Sequence, residues 1–192
     1  IACAPLHPTV ALLLGPLFRS RLAQNERSLF AFLSSGEPHG FQEHLAREEC
    51  NGNGQVGYYR PDHLYDYLVS ALGSSLYLQT QGKRWAEIDD ALDRLPAEAT
   101  ELHARLVKSI GLFGLVGDQR SLRASDEVLC YAFCDSQTSE LSVRNSLKDL
   151  VSWRIAIYRS FRDAYSLWEG SDVDLDACYE RAIARLGHTS DL

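Results

Sequence analysis

The spacing of the apolar residues changes near the end of this chain, and that change limits its possible folds more than any other feature. From Leu102 to Val151, apolar residues recur at helical spacing in three successive segments. Two short runs follow, IAIYR and AYSLW, both rich in β-branched and aromatic residues and separated by the polar stretch SFRD. The sequence therefore predicts three helices closed by a β-hairpin.

Polar residues at the helix starts support this prediction. Ser125 precedes Asp126 and Glu127, and Thr138 and Ser139 precede the third helix, as expected for N-caps and for acidic side chains in a first turn. Three helices followed by a hairpin is the order of a winged helix, a helix-turn-helix variant whose third helix can contact DNA. We therefore predict a winged-helix domain over residues 99–170.

The first hundred residues show helical spacing and no strand-like alternation. One apolar stripe, at spacings of three and four residues, is formed by Val10, Leu13, Leu14, Leu17 and Phe18. We predict a helical bundle over 1–98 and a C-terminal helical tail over 171–192. The predicted fold class is mainly α: a helical bundle, a winged helix and a C-terminal helix.

The stretch AQNERSLFAF places four polar residues between two apolar segments. Asn25 can cap a second helix with Glu26 in its first turn. We expect the inner face of this helix to hold Leu29, Phe30 and Leu33.

Charge is distributed unevenly along the 192 residues, whose formal net charge is −7. Residues 61–100 hold three basic and seven acidic side chains, whereas residues 144–162 hold five basic side chains and one acidic side chain. If the five cations converge, they would form a phosphate-binding patch on the third helix and the hairpin. An ordinary solvated face is the alternative. The five are Arg144, Lys148, Arg154, Arg159 and Arg162.

Autonomous catalysis has no support in the sequence. The G-x-x-x-x-G-K-[ST] motif of P-loop nucleotide hydrolases is absent. GNGQVG matches the dinucleotide fingerprint literally, but the pattern predicts a helix rather than a strand before it, so we interpret it as a loop. The five cysteines show no paired C-x-x-C spacing, which indicates neither a disulfide framework nor a zinc site. We expect no cofactor or metal in this segment.

Cysteine usage of this kind fits a reducing cytoplasm, where we expect the protein to be located. Residues 10–18 form the longest apolar run, which Gly15 and Pro16 interrupt and which is too short to span a bilayer. We therefore expect no membrane partner. The chain begins with Ile1 and contains no Met, so we expect it to be a piece of a longer protein.

Two stretches, LHPTVALLLGPLFRSRLAQNERSLFAFL and AYSLWEGSDVDL, resemble segments that follow the nucleotide-binding core in large bacterial P-loop ATPases of the AAA+/STAND kind, several of them associated with phage defence. The resemblance covers nearly the whole chain and implies a helical lid plus winged helix. It also implies an ATPase core elsewhere in the same chain, with ATP and Mg bound there, and an oligomeric assembly. Arg27 would then be an arginine finger that stabilises charge during phosphoryl transfer; pairing with a nearby carboxylate is the alternative.

Three hypotheses for function remain open. The first is a non-catalytic regulatory segment that relays the nucleotide state of an ATPase core to an effector or an oligomer. The second is a winged-helix module of a regulator that binds double-stranded DNA through the basic residues of 144–162. The third is a scaffold that binds a protein partner through the acidic helices of 61–100.

Overall fold

The computed structural model describes residues 4–18, 27–50, 57–78, 80–116 and 122–169. Most of these residues are helical, and two short strands form one antiparallel sheet. The predicted tail at 171–192 lies outside the described residues. In chain order the elements are α1 (Pro8–Leu17), α2 (Arg27–Ser34), α3 (Phe41–Cys50), α4 (Pro61–Leu72), a 3₁₀ helix (Gly73–Leu76), α5 (Gly82–Asp93), α6 (Glu101–Val116), α7 (Asp126–Phe133), α8 (Glu140–Ser152), β1 (Ala156–Arg159) and β2 (Ala164–Leu167).

The apolar stripe predicted for the first helix is buried in α1. Val10, Leu13, Leu14 and Leu17 are all less than one-tenth exposed. The N-cap is His7, whose Nδ1 accepts a hydrogen bond from the backbone N–H of Thr9 at 3.3 Å. None of the described helices is long and apolar enough to cross a membrane.

The inner face predicted for α2 is wrong at one position. Phe30 is 69% exposed, whereas Phe32 is fully buried and packs against the rings of Phe41 and Tyr59. Both Phe30 and Phe32 are compatible with a face that includes Leu29 or Leu33, and the packing on Phe41 and Tyr59 selects Phe32. Gln24, Asn25 and Glu26, including the predicted cap, lie outside the described residues.

Helix α6 is the element on which most of the others pack. It contacts α1, α4 and α5 from the first hundred residues as well as α8 and β2, and one hydrophobic core includes residues from all of them. Two ion pairs fix α6 to α4: Arg105 Nε lies 2.7 Å from Asp62 Oδ2, and Lys108 Nζ lies 2.6 Å from Asp66 Oδ1. Buried apolar contacts therefore continue across the boundary predicted at residues 98 and 99.

A third charged contact joins the start of α4 to the end of α7. Arg60 is 7% exposed, and its guanidinium donates to the backbone oxygen of Ala132 and to Asp135 Oδ2, the latter at 2.9 Å. Burial of an arginine requires partners of this kind, since an unpaired charge in the interior is costly. Arg60 thus fixes α7 against the helices that precede α6.

The elements after residue 100 match the predicted order of three helices and a hairpin. Ser125 Oγ accepts from Val128 N at 3.3 Å and Ser139 Oγ from Ser142 N at 3.1 Å, so both predicted caps are confirmed. The strands pair with Ala156 opposite Leu167 and Arg159 opposite Ala164. Ala124, just before α7, lies beside β2, where Tyr165 N donates to Ala124 O at 2.9 Å.

Candidate anion-binding cleft

A cleft of about 300 Å³ lies between helices α5 and α6 on one side and the β-hairpin on the other. Residues 122–124, which connect α6 to α7, complete its wall. Buried apolar residues of α5, α6 and β2 lie behind the cleft, and its accessible apolar surface comes from Phe161, Leu122 and Tyr165.

The charged residues of the cleft are mostly arginines. Four arginines, Arg84, Arg123, Arg159 and Arg162, line it together with two glutamates, Glu87 and Glu169. Glu87 is already paired, since its Oε1 lies 3.6 Å from Lys83 Nζ. The lining therefore carries a surplus of positive charge on a chain whose net charge is −7.

Backbone contacts hold the arginines of the hairpin in place. The turn after β1 closes through a hydrogen bond from Arg162 N to Arg159 O at 2.9 Å. Arg123 Nη1 donates to Arg162 O at 3.1 Å, which attaches the turn to the connecting segment. Within the described part of the chain, Arg84, Arg159 and Arg162 make no ion pair with a carboxylate; the guanidinium of Arg162 lies 5.6 Å from the ring centroid of Phe161.

Tyr165 contributes a partly buried aromatic ring to the same wall. Its hydroxyl donates to Asp126 Oδ1 at 3.1 Å. Burial, followed by the negative charge of Asp126, raises the pKa of Tyr165 far above its ordinary value, so the phenol stays neutral. Tyr165 can donate a hydrogen bond but cannot act as a base in this cleft.

The structure brings together only two of the five basic residues singled out in 144–162. Arg159 and Arg162 line the cleft, whereas Arg144, Lys148 and Arg154 are not among its lining residues. Arg144 Nη1 lies 3.2 Å from Asp126 Oδ2 and Nη2 lies 2.9 Å from Glu140 Oε1. The hydrogen bond to Glu140 raises the pKa of Arg144, and two carboxylates offset its charge.

Lys148 and Arg154 are exposed on and after α8. Arg154 has a φ of 57°, and it follows the helix in the left-handed conformation that more often belongs to glycine. Its N–H bonds Val151 O, and the next N–H, of Ile155, bonds Leu150 O. The conformation of Arg154 therefore ends α8 and turns the chain into β1.

Sequence reasoning did not identify two arginines of the cleft, Arg84 and Arg123. They come from α5 and from the α6–α7 connection, and only the packing of the hairpin on α5 and α6 brings them to Arg159 and Arg162. One signal was present for Arg84, because Lys83 and Arg84 are two of only three basic residues in the acidic stretch 61–100.

Arg27 is the first residue of α2, but its side chain lies outside the part of the structure that is described. Its assignment as an arginine finger stays a prediction. The interpretation of GNGQVG as a loop also stays a prediction, because residues 51–56 lie outside the described ranges.

Other groups capable of acid–base or nucleophilic chemistry are disfavoured by their surroundings. Burial, with the nearby charge of Arg60, lowers the pKa of His7 to about 4. Burial raises the pKa of Cys130 to about 11 and also raises that of Cys134, so both thiols stay protonated at neutral pH. Among the described residues, no three His, Cys, Asp or Glu side chains are grouped to hold a metal ion.

Comparison with known proteins adds no assignment. No protein-family model matches this chain. No curated protein and no solved structure matches it either. The cleft and the packing around α6 are therefore the observations from which a function can be proposed.

Proposed function

We propose that this chain is a non-catalytic coupling segment of a larger ATP-binding protein, in which a helical lid and a winged helix relay the nucleotide state of an ATPase core. The resemblance of residues 6–33 and 164–175 to the regions that follow such cores motivates the proposal. The winged-helix part is supported by the order α6, α7, α8, β1, β2. It is further supported by the hydrogen bond from Tyr165 N to Ala124 O, which holds Ala124, just before α7, beside the hairpin.

The observation that carries the coupling role is the position of α6. Helix α6 packs both on α1, α4 and α5 and on α8 and β2, and one hydrophobic core includes residues of all these elements. The pairs Arg105–Asp62 and Lys108–Asp66 and the buried contacts of Arg60 add charged ties across the same boundary. Close-packed interiors transmit displacement, so a shift of the bundle would move the hairpin with it.

The test is hydrogen exchange on the full polypeptide that joins this chain to an ATPase core, compared between its ATP and ADP states. We expect nucleotide-dependent exchange in α6, α8 and the hairpin. Arg27→Ala should abolish that difference and slow hydrolysis, because an arginine finger acts on the transferring phosphate.

A matched control is Arg47→Ala. Arg47 lies in the next helix and is exposed, and among the described residues its ion pair is with Glu43, at 2.9 Å. This variant should retain nucleotide-dependent exchange. Exchange that is the same in both nucleotide states, or loss of the effect in both variants, would contradict the coupling role.

DNA binding is a second candidate, and one observation favours it. Lys148, Arg154 and Arg162 are exposed on α8, after it and on the hairpin turn, and within the described residues none of the three makes an ion pair with a carboxylate. The exposed face of α8 is otherwise balanced, since Glu140 and Asp149 accompany Arg144 and Lys148.

Fluorescence anisotropy with a labelled DNA duplex tests this candidate over a range of salt concentrations. Binding that weakens steeply with salt, and that Lys148→Gln reduces, would support it. Absence of binding at low salt would exclude it.

A further inference from the structure

We propose that the cleft between α5, α6 and the hairpin binds a small organic phosphate, with the phosphate held by its arginines and an apolar group against Phe161, Leu122 and Tyr165. This site does not depend on the coupling role, because the geometry that supports it lies wholly within the chain. The ligand class follows from the charge of the lining, from its apolar surface and from its size.

The charge of the lining selects an anion. Three of the arginines that line the cleft, Arg84, Arg159 and Arg162, have no carboxylate partner among the described residues. A guanidinium presents a planar set of N–H donors that fits two oxygens of a phosphate at once. Since Arg84 lies on α5 and the other two on the hairpin, a phosphate between them would bridge the two walls.

The apolar surface indicates that the ligand carries an apolar group in addition to its phosphate. The apolar surface that a ligand can reach comes from Phe161, which is 75% exposed, and from the partly buried Leu122 and Tyr165. Small-molecule sites combine such an apolar lining with a few polar groups that fix orientation. The volume of about 300 Å³ is at the lower end of the range for such sites, which suits a compact ligand better than a polymer.

Gly114 leaves this cleft open. It is exposed on α6 and lines the cleft, and a Cβ placed on it would have no atom within 4 Å. A larger side chain at this position would therefore enter the cleft without a clash at its base. Gly114→Leu blocks the site sterically while all four arginines remain.

The test uses phenyl phosphate as the probe, measured by calorimetry and by amide chemical-shift changes in the whole chain. We expect saturable binding, with the largest shifts at Gly114, Tyr165 and Leu167. Arg84→Gln and Arg159→Gln should each weaken binding about tenfold to a hundredfold, the usual effect of losing a charged hydrogen bond. Gly114→Leu should abolish binding, and circular dichroism checks that each variant is folded.

Lys148→Gln is the matched control, because it removes one exposed positive charge outside the cleft. It should change binding less than about twofold, which is within the error of an affinity measurement. Inorganic phosphate and phenol, tested separately, should each bind more weakly than phenyl phosphate.

Four results would overturn the proposal. The first is the absence of saturable binding to the wild-type chain, and the second is binding that the two arginine variants leave unchanged. The third is equal affinity for inorganic phosphate and phenyl phosphate, and the fourth is amide chemical-shift changes at residues outside the cleft. If a short DNA duplex displaces phenyl phosphate and binds more tightly, the same arginines serve a nucleic-acid backbone instead, and the small-molecule site is wrong.

Discussion

Arg105 Nε lies 2.7 Å from Asp62 Oδ2, and this pair joins α6 to α4 where both side chains are largely removed from water. The side chain of Asp62 is 4% exposed and that of Arg105 is 23% exposed. The guanidinium of Arg105 also lies 5.0 Å from the ring centroid of Phe133 in α7. One arginine of α6 therefore contacts both α4 and α7.

Removing one member of this pair should destabilise the fold strongly. Asp62→Ala leaves the charge of Arg105 without its carboxylate in a poorly solvated place, and the expected loss is about 3–5 kcal/mol of unfolding free energy. Urea unfolding, followed by far-UV circular dichroism, measures it.

The exposed pair of Arg47 and Glu43 provides the comparison, with side chains 63% and 37% exposed. Arg47→Ala should cost less than about 1 kcal/mol, because water and side-chain entropy reduce the value of surface pairs. Equal losses in the two variants would show that the Asp62–Arg105 pair does not stabilise the junction.

Two glycines on α6 should respond to alanine in opposite directions. A Cβ on Gly111 would lie 2.5 Å from Ile88 Cγ1, so Gly111→Ala forces α5 and α6 apart and should cost about 1–3 kcal/mol. Gly114 faces open space, and Gly114→Ala should stabilise the helix by about 0.5–1 kcal/mol.

Thermal unfolding of both variants checks this pair of predictions. Ile88→Ala combined with Gly111→Ala should cost less than the sum of the two single losses, because Ile88→Ala removes the atoms that the new methyl group meets. If Gly111→Ala is neutral, α5 and α6 are not packed as closely as the structure shows.

Acid should destabilise the protein through His7. Its pKa is lowered from 6.5 to about 4 by burial and by Arg60, so the folded state binds fewer protons than the unfolded chain between these two values. Stability is therefore lost as the pH falls from about 6.5 towards 4, by about 3 kcal/mol in total.

The variant His7→Asn isolates this effect. Asn is a good N-cap and does not titrate, so the variant should keep α1 and lose part of the pH dependence in that window. Denaturant unfolding at pH 7, 5.5 and 4.5 gives the comparison. If the free energy of unfolding falls equally with decreasing pH in both proteins, the assignment to His7 is wrong.

Local patterns in the sequence predicted most of the secondary structure. Sequence reasoning can use interactions between residues that are close along the chain. The caps at Ser125 and Ser139 and the strand propensity of the runs that form β1 and β2 are of this kind. The error at Phe30 is of another kind. Phe30 and Phe32 are both apolar, and only packing against Phe41 and Tyr59 selects the one that is buried.

The cleft could not be predicted in the same way. Arg84 and Arg159 are far apart along the chain, and tertiary packing alone brings them to one cavity. The pairing of Arg144 with Glu140 follows helical spacing and could have been inferred. Its pairing with Asp126 depends on how α7 crosses α8. These contacts divided the basic residues of 144–162 between two faces of the protein.

Native-state hydrogen exchange tests most directly whether the bundle and the hairpin move as one unit through α6. The comparison is between the wild-type chain and Leu64→Ala, which removes a fully buried side chain from α4 and should cost about 2–5 kcal/mol. If α6 couples the two parts, the amides of Leu68 in α4, Leu147 in α8 and Trp168 after β2 should lose the same protection. Loss confined to Leu68, with Leu147 and Trp168 still fully protected, would mean two independent units and would contradict the account.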